Sequence, residues 1–203
     1  LNPEEAIDNF KRSLRINESI GNKKSAYSAL NNLGVVFMDR AINERNDHFY
    51  DSALNYFTRL ATSADNPNVN TRLLAYGNMA GIYELRNELQ KALDSFKEAI
   101  ALEKNQSSLS FKAMMYGTLG NIYNKLNKPD SALLYYEVGL KAAKDIESTY
   151  DQFEYYKALA AFYEKKRDFK AALQFSKQQA IAKDSIYNTE KAQAISELET
   201  KYG

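Results

Sequence analysis

An alanine that returns at a nearly constant interval constrains the fold of this chain more than any other feature. Ala53, Ala92, Ala132 and Ala172 are each followed by leucine, and they stand 39, 40 and 40 residues apart. Self-similarity at a fixed period indicates an array in which each repeat buries its apolar face against its neighbours. The sequence therefore predicts a repeat array, although 203 residues would also suit one or two compact domains.

Small and aromatic residues recur at fixed offsets around these alanines. The motifs that precede them are Leu33-Gly34-x-x-Phe37, Met79-Ala80-x-x-Tyr83, Leu119-Gly120-x-x-Tyr123 and Leu159-Ala160-x-x-Tyr163. The motifs that begin with them are Ala53-x-x-x-Phe57, Ala92-x-x-x-Phe96 and Ala132-x-x-x-Tyr136, and the fourth is predicted to carry its aromatic one place early, at Phe175. Glycine or alanine suits a close helix crossing, and an aromatic side chain fills a wide gap. The pattern predicts pairs of antiparallel helices, and hence an all-α fold.

The pattern resembles the tetratricopeptide repeat family over nearly the whole chain. Tyrosines occupy the place where the family consensus carries tryptophan, at Tyr76, Tyr116 and Tyr156. The resemblance implies a right-handed α-α superhelix with about four full helix pairs, a leading half-repeat and a C-terminal helix. Residues 1–184 would form the array and residues 185–203 the helix that caps it or leads to a linker or membrane segment. Repeats of about 40 residues exceed the family's usual 34, so each pair should be about a turn longer.

Turn and cap residues set the predicted helix boundaries. The predicted helices are 3–20, 24–43, 50–63, 68–87, 89–104, 108–127, 129–146, 149–166 and 169–184, with a last helix from about 186. The first repeat carries about seven surplus residues in the polar stretch 39–49, which predicts an extended turn or longer helix ends.

The first helix looks like the second half of a repeat whose first half is missing. Its apolar residues Ile7, Phe10 and Leu14 share one helical face, and the ends of a stacked array need polar capping. We therefore expect this truncated edge to be exposed and available for self-association.

Charge and residue types argue against several function classes. The 27 basic residues nearly balance the 26 acidic ones, whereas binding to a nucleic-acid backbone draws on clustered lysine and arginine. No apolar run approaches the ~20 residues of a membrane-spanning helix. His48 is the only histidine, cysteine is absent, and no glycine-rich phosphate loop is present. The sequence predicts no enzymatic activity, no cofactor, no metal site and no nucleic-acid partner.

The family resemblance also implies a concave groove lined by first helices, which would take a protein or peptide ligand. The lining positions in this sequence are Asn31, Val35, Met38, Gly77, Asn78, Gly81, Glu84, Gly117, Asn121, Asn124, Lys157, Ala161 and Glu164. Asparagine offers both a donor and an acceptor, so a row of them could pair with the backbone of an extended peptide. The alternative is that they are solvated helix surface. Gly77 and Gly117 would make room either for a ligand backbone or for a neighbouring helix.

The C-terminal stretch from Asp184 to Tyr202 carries a second resemblance. It is similar to the junction that follows repeat arrays in membrane-anchored regulators of Bacteroidetes bacteria, which implies a periplasmic sensor region. Ile195, Leu198 and Tyr202 also follow Ala192 at helical spacing, and this stripe suits either a cap or the start of a coiled coil. The predicted function is a non-catalytic protein or peptide recognition module, the sensor region of a signal-transduction regulator. A passive assembly scaffold is the alternative.

Overall fold

The computed structural model describes residues 3–63, 65, 68–103 and 109–202, with side chains to residue 200. Every regular element in these ranges is an α-helix, as the sequence predicts. The helices are α1 (Pro3–Ser19), α2 (Lys23–Glu44), α3 (His48–Ala61), α4 (Val69–Leu85), α5 (Leu89–Leu102), α6 (Leu109–Lys125), α7 (Pro129–Asp145), α8 (Thr149–Lys165) and α9 (Phe169–Tyr202).

The helices pack as consecutive pairs. The pairs α2 with α3, α4 with α5, α6 with α7 and α8 with α9 form repeats 1 to 4, and α1 packs on α2. The first helices of adjacent repeats also touch, α2 with α4 and α6 with α8. The chain divides into two compact halves, residues 1–106 (the N-terminal half) and 107–203 (the C-terminal half). This succession of helix pairs confirms the all-α repeat fold.

Close crossings in repeats 1 and 3 lie where the motifs place glycine. A methyl group at Gly34 would lie 2.5 Å from the ring of Phe57, and one at Gly120 would lie 2.5 Å from the ring of Tyr136. Both rings are almost fully buried. The glycines therefore let the second helix of each pair press a large ring against the first helix, as predicted.

The aromatic residue of the fourth repeat belongs to a different position from the one predicted. Phe37 stacks on Tyr56, with 5.7 Å between ring centroids, and Tyr163 stacks on Phe175 at 5.5 Å. Tyr56 and Phe175 both stand three residues after their repeat's alanine. Phe175 is thus the partner of the first-helix aromatic, and Ser176 holds the place of Phe57; the prediction of a shifted aromatic was wrong.

The prediction of an exposed N-terminal edge is also wrong, because the next helix of the same chain covers that edge. Ile7 and Leu14 are only 5% and 6% exposed. They share one core with Leu33 of α2, and Phe10 packs partly buried against it. Helix α1 therefore buries this face on α2, as α3 packs on α4 and α7 packs on α8.

The surplus residues of repeat 1 lengthen α2 rather than forming a loose loop. Helix α2 has 22 residues, against 17 in α4, α6 and α8. It ends at Arg45, whose φ of 51° is left-handed and whose backbone N–H donates to the carbonyl of Ala41. Arg86 then fixes the turn, since its guanidinium lies 3.0 Å from Asp47 and 2.8 Å from Asp51.

Helix α9 is one unbroken helix of 34 residues, whereas the sequence predicts a break near residue 185. The stretch contains neither glycine nor proline, so nothing there interrupts the helical hydrogen bonds. Residues 188–200 are all exposed, including Ile195 and Leu198. The division into an array and a separate terminal helix remains a prediction.

Candidate functional site

A groove of about 410 Å³ lies between α6 and α8, the two first helices of the C-terminal half. Twelve residues line it: Ala113, Met114, Gly117, Thr118, Asn121, Tyr150, Asp151, Glu154, Tyr155, Lys157, Ala158 and Ala161. The lining positions follow one face of each helix, at spacings of three, four and seven residues. The volume lies within the range of small-ligand and peptide pockets, ~300–1,000 Å³.

The floor of the groove consists of small residues. Ala113 and Gly117 contribute it from α6, and Ala158 and Ala161 from α8. Small side chains keep the two helices from filling the space between them, so a bound chain can approach the helix surfaces closely. Ala161 is exposed, which makes it a position where a larger side chain would fill the groove without entering the core.

Tyr155 supports this floor from below. It is 2% exposed, and its hydroxyl donates a 3.0 Å hydrogen bond to the carbonyl of Lys112 on α6. A methyl group at Gly117 would lie 3.4 Å from its ring, and one at Gly139 on α7 would collide with its hydroxyl. Burial raises the pKa of Tyr155 above the ordinary tyrosine value. One side chain of α8 thus fixes the spacing of α6 and α7.

The supporting role of Tyr155 and Gly139 was not identified from the sequence. The available signal was Gly139 itself, a residue in the middle of a second helix where glycine is unfavourable by ~1 kcal/mol relative to alanine. The structure also shows that Gly117 admits a neighbouring helix, since the ring of Tyr155 packs there. Gly117 lines the groove as well.

Polar groups stand above the floor, and hydrogen bonds within the protein orient two of them, Asn121 and Asp151. The Oδ1 of Asn121 accepts a 2.6 Å hydrogen bond from the hydroxyl of the buried Tyr136. This bond uses one of the two lone pairs of Oδ1 and leaves both amide N–H donors of Asn121 unused by the described residues. Lys157 lies 3.3 Å from the Oε2 of Glu154. Asp151 lies in the first turn of α8 and accepts a 2.6 Å hydrogen bond from the hydroxyl of Ser148, which caps that helix.

The rim carries two large exposed side chains. Met114 on α6 is 42% exposed, and Tyr150 on α8 is 65% exposed. An aromatic ring and a flexible thioether are side chains that recur at protein-binding surfaces. The rim therefore offers apolar contact area on both sides of the polar groups.

The groove contains part of the predicted binding set. Gly117, Asn121, Lys157 and Ala161 line it. Asn124 instead lines a smaller cavity of about 270 Å³, next to Phe162 and Lys165. Glu164 is exposed at the end of α8.

The predicted residues of the N-terminal half lie on α2 and α4. Asn31, Asn78 and Gly81 are half-buried, and open space lies above Gly81. Gly77 is buried, and Val35 packs against the core. The two grooves described in this half lie around Tyr27 and Asp65 and are lined by other residues. The proposed row of asparagines on this half stays a prediction.

Sequence and structure comparisons agree with this architecture. Residues 75–110 match the family model of the tetratricopeptide repeat. The fold is also similar to the crystal structure of BtubC (BKLC) from P. vanneervenii, with a TM-score of 0.71 over 91% of this chain and 75% of that one. Sequence identity is 16%, so this likeness concerns the fold alone. No curated protein matches the chain. Tetratricopeptide repeats generally mediate protein–protein interactions, which fits a non-catalytic recognition module.

The described residues provide neither a metal-ligand cluster nor a membrane-spanning helix. Within these ranges, no three or more His, Asp or Glu side chains gather to hold a metal ion. None of the helices described is both long enough and apolar enough to cross a bilayer.

Proposed function

We propose that this chain is the ligand-recognition region of a signal-transduction regulator, and that the groove between α6 and α8 binds an extended peptide segment. The observation that carries the proposal is a small-residue floor held open by the buried Tyr155, below a rim of exposed Met114 and Tyr150. Repeats of this type generally serve protein–protein recognition, which supports a binding role for the groove.

Hydrogen-bond donors in the groove suit a peptide backbone. The N–H groups of Asn121 and the ammonium of Lys157 can donate to backbone carbonyls regardless of the peptide's side chains. The lining on α6 runs from Ala113 to Asn121, eight residue steps or ~12 Å of helix. About four residues of extended chain fit that length.

In the sensor proposal, binding is coupled to α9. A ligand that binds one arrangement of α6 and α8 more tightly than another shifts that equilibrium by its differential affinity. Because α9 packs on α8, a shift of α8 would reach the exposed C-terminal part of α9. By the resemblance of residues 184–202, we place this region in the periplasm as part of a membrane-anchored regulator.

A passive assembly scaffold is the second candidate. It is favoured by the general role of these repeats in protein–protein interactions. The two candidates differ in what the gene encodes after Gly203. An apolar run of about 20 residues followed by a kinase-like or DNA-binding segment supports the sensor, whereas further repeats alone support the scaffold.

Filling the groove tests the proposed binding site directly. Peptides selected from a random displayed library on the wild-type protein should lose binding to Ala161→Trp, because the indole occupies the floor of the groove. Lys141→Trp is the matched control, since Lys141 is exposed on α7 and does not line the groove. Selected peptides that bind Ala161→Trp as tightly as wild type would refute the site.

A further inference from the structure

We infer that the groove between α6 and α8 selects a peptide carrying a basic side chain, arginine or lysine, whose cation lies against Asp151 and Glu154 beside the ring of Tyr150. The inference rests on the proposed function, because it names the class of peptide that the same groove takes. It is carried by the charge and hydrogen-bond state of the lining residues.

The charged groups of the groove leave it net negative. Two carboxylates, Asp151 and Glu154, and one ammonium, Lys157, line it. Asp151 and Glu154 are three residues apart on α8, which places them on the same face of the helix. A bound cation would thus meet two carboxylates, one of which already shares its charge with Lys157.

Each carboxylate retains an acceptor that the described part of the chain does not use. Asp151 accepts the Ser148 hydroxyl on Oδ2, and Glu154 meets Lys157 with Oε2. The other oxygen of each group accepts no hydrogen bond from the described residues. An ionised carboxylate has about four lone-pair positions, so both groups can accept N–H donors from a ligand. Guanidinium is the donor that best matches paired carboxylate oxygens.

Asp151 is also fixed in place. Ser148 caps α8 by accepting the backbone N–H of Asp151 at 3.3 Å, and its hydroxyl donates back to the Asp151 carboxylate at 2.6 Å. This reciprocal pair limits the side chain to one orientation, so little rotational entropy remains to be lost on binding.

The rim adds a surface for a planar cation. Tyr150 precedes Asp151 and is 65% exposed, and an aromatic face attracts arginine or lysine that lies within about 6 Å of its centroid. Met114 faces the same groove from α6 and offers apolar contact to the methylene stem. The ligand would therefore place a long basic side chain at this mouth and small residues over the alanine and glycine floor.

Lys157 allows a test in which two substitutions are expected to change the binding affinity in opposite directions. It pairs with Glu154 and so competes with a cationic ligand. Replacing Lys157 by methionine keeps the aliphatic stem, frees Glu154 and removes a repulsive charge. Binding of a basic peptide should therefore become stronger when Lys157 is lost and weaker when the carboxylates are neutralised.

The experiment is selection of displayed random peptides on the wild-type protein, followed by affinity measurement of one selected peptide by fluorescence anisotropy. We expect arginine or lysine enriched at one peptide position. Asp151→Asn combined with Glu154→Gln should weaken binding about tenfold, and Lys157→Met should strengthen it about twofold to fivefold, as expected for partly exposed charge pairs. Glu137→Gln, an exposed change on α7 outside the groove, should leave binding unchanged.

Two results would overturn the inference. One is selected peptides without a basic residue; the other is a basic peptide whose affinity is insensitive to the paired carboxylate change or falls with Lys157→Met. Peptides that lack basic residues but lose binding in Ala161→Trp would leave the proposed function standing and remove this inference alone. Peptides that ignore Ala161→Trp would remove both. Thermal unfolding of each variant confirms that the fold is retained.

Discussion

At the scale of single residues, the repeats are specified by which positions lack a side chain. Gly34 and Gly120 each leave room for one buried ring, and Gly139 leaves room for the hydroxyl of Tyr155. Gly81, in contrast, has nothing within 4 Å of the place a methyl group would take. The same residue type therefore serves close packing in some repeats and contributes nothing to packing in another.

This contrast predicts opposite effects of the same substitution. Gly120→Ala should lower the free energy of unfolding by ~2 kcal/mol, because its methyl group would lie 2.5 Å from the buried ring of Tyr136. Gly81→Ala should raise it by ~1 kcal/mol, since alanine favours the helix and meets no neighbour. Urea unfolding of both variants checks this. Equal effects would mean that the crossing at Gly120 is looser in solution.

A second prediction concerns the hydroxyl of Tyr155. Tyr155→Phe should cost ~1 kcal/mol at neutral pH through the lost hydrogen bond to Lys112. Burial raises the pKa of Tyr155, so above pH ~10 the unfolded chain releases a proton that the folded chain keeps. The advantage of tyrosine is therefore complete below pH ~10 and declines as the pH rises toward the folded-state value.

Urea unfolding of wild type and Tyr155→Phe at pH ~8 and pH ~11 measures this decline. The other tyrosines and lysines titrate equally in both proteins and cancel in the difference. A difference in stability that is the same at both pH values would contradict the buried, hydrogen-bonded hydroxyl.

At the scale of elements, a recurring turn sets the length of the first helices. Asn87, Asn127 and Arg167 follow α4, α6 and α8 at left-handed φ angles of 59°, 55° and 60°. After each turn, the next backbone N–H returns to the carbonyl of a tyrosine five residues earlier, as in Asp168 to Tyr163 at 3.0 Å. This is the hydrogen bond of a Schellman cap. Asparagine tolerates the left-handed region, whereas arginine is strained there.

Exchanging these two residue types tests the turn. Arg167→Asn should stabilise the protein by several tenths to about 1 kcal/mol, and Asn127→Arg should destabilise it by a similar amount. The measurement is the denaturant midpoint of each variant. Changes of the same sign in both variants would show that side-chain contacts, and not the backbone conformation, decide the outcome.

The long α9 predicts uneven hydrogen exchange. Its first part packs on α8, but residues 188–200 are exposed, and an isolated helix of this length is marginal in water. Amides after Tyr187 should therefore exchange orders of magnitude faster than those between Leu173 and Lys183. Equal protection along α9 would mean that another surface covers its end in solution.

At the scale of the whole molecule, the sequence predicts the architecture better than the site. The periodic alanines and aromatics predict which helices pair within a repeat, because packing inside a repeat depends on residues at fixed, short sequence offsets. The groove depends on which helices meet side by side. Its lining includes Gly117, Asn121, Lys157 and Ala161 from the predicted set. Asp151 and Tyr150 lie at the start of α8, outside the positions that the family resemblance implies.

The misses share a physical origin in contacts between helices, which sequence offsets from the repeat alanine do not determine. Phe175 and the apolar face of α1 were assigned from repeat offsets, yet their surroundings are set by three-dimensional neighbours. Tyr155 likewise serves α6 and α7 from a position on α8. In a single sequence, such contacts are indicated only by a residue whose type the local structure does not explain. Gly139, in the middle of a helix, is such a residue.

The most direct test of the central claim is a map of amide chemical shifts in the isotope-labelled chain, with and without saturating amounts of a peptide selected on it. Binding in the groove between α6 and α8 predicts the largest shifts at Gly117, Asn121, Asp151 and Ala161. Shifts concentrated elsewhere on the chain, with these four amides unmoved, would contradict it.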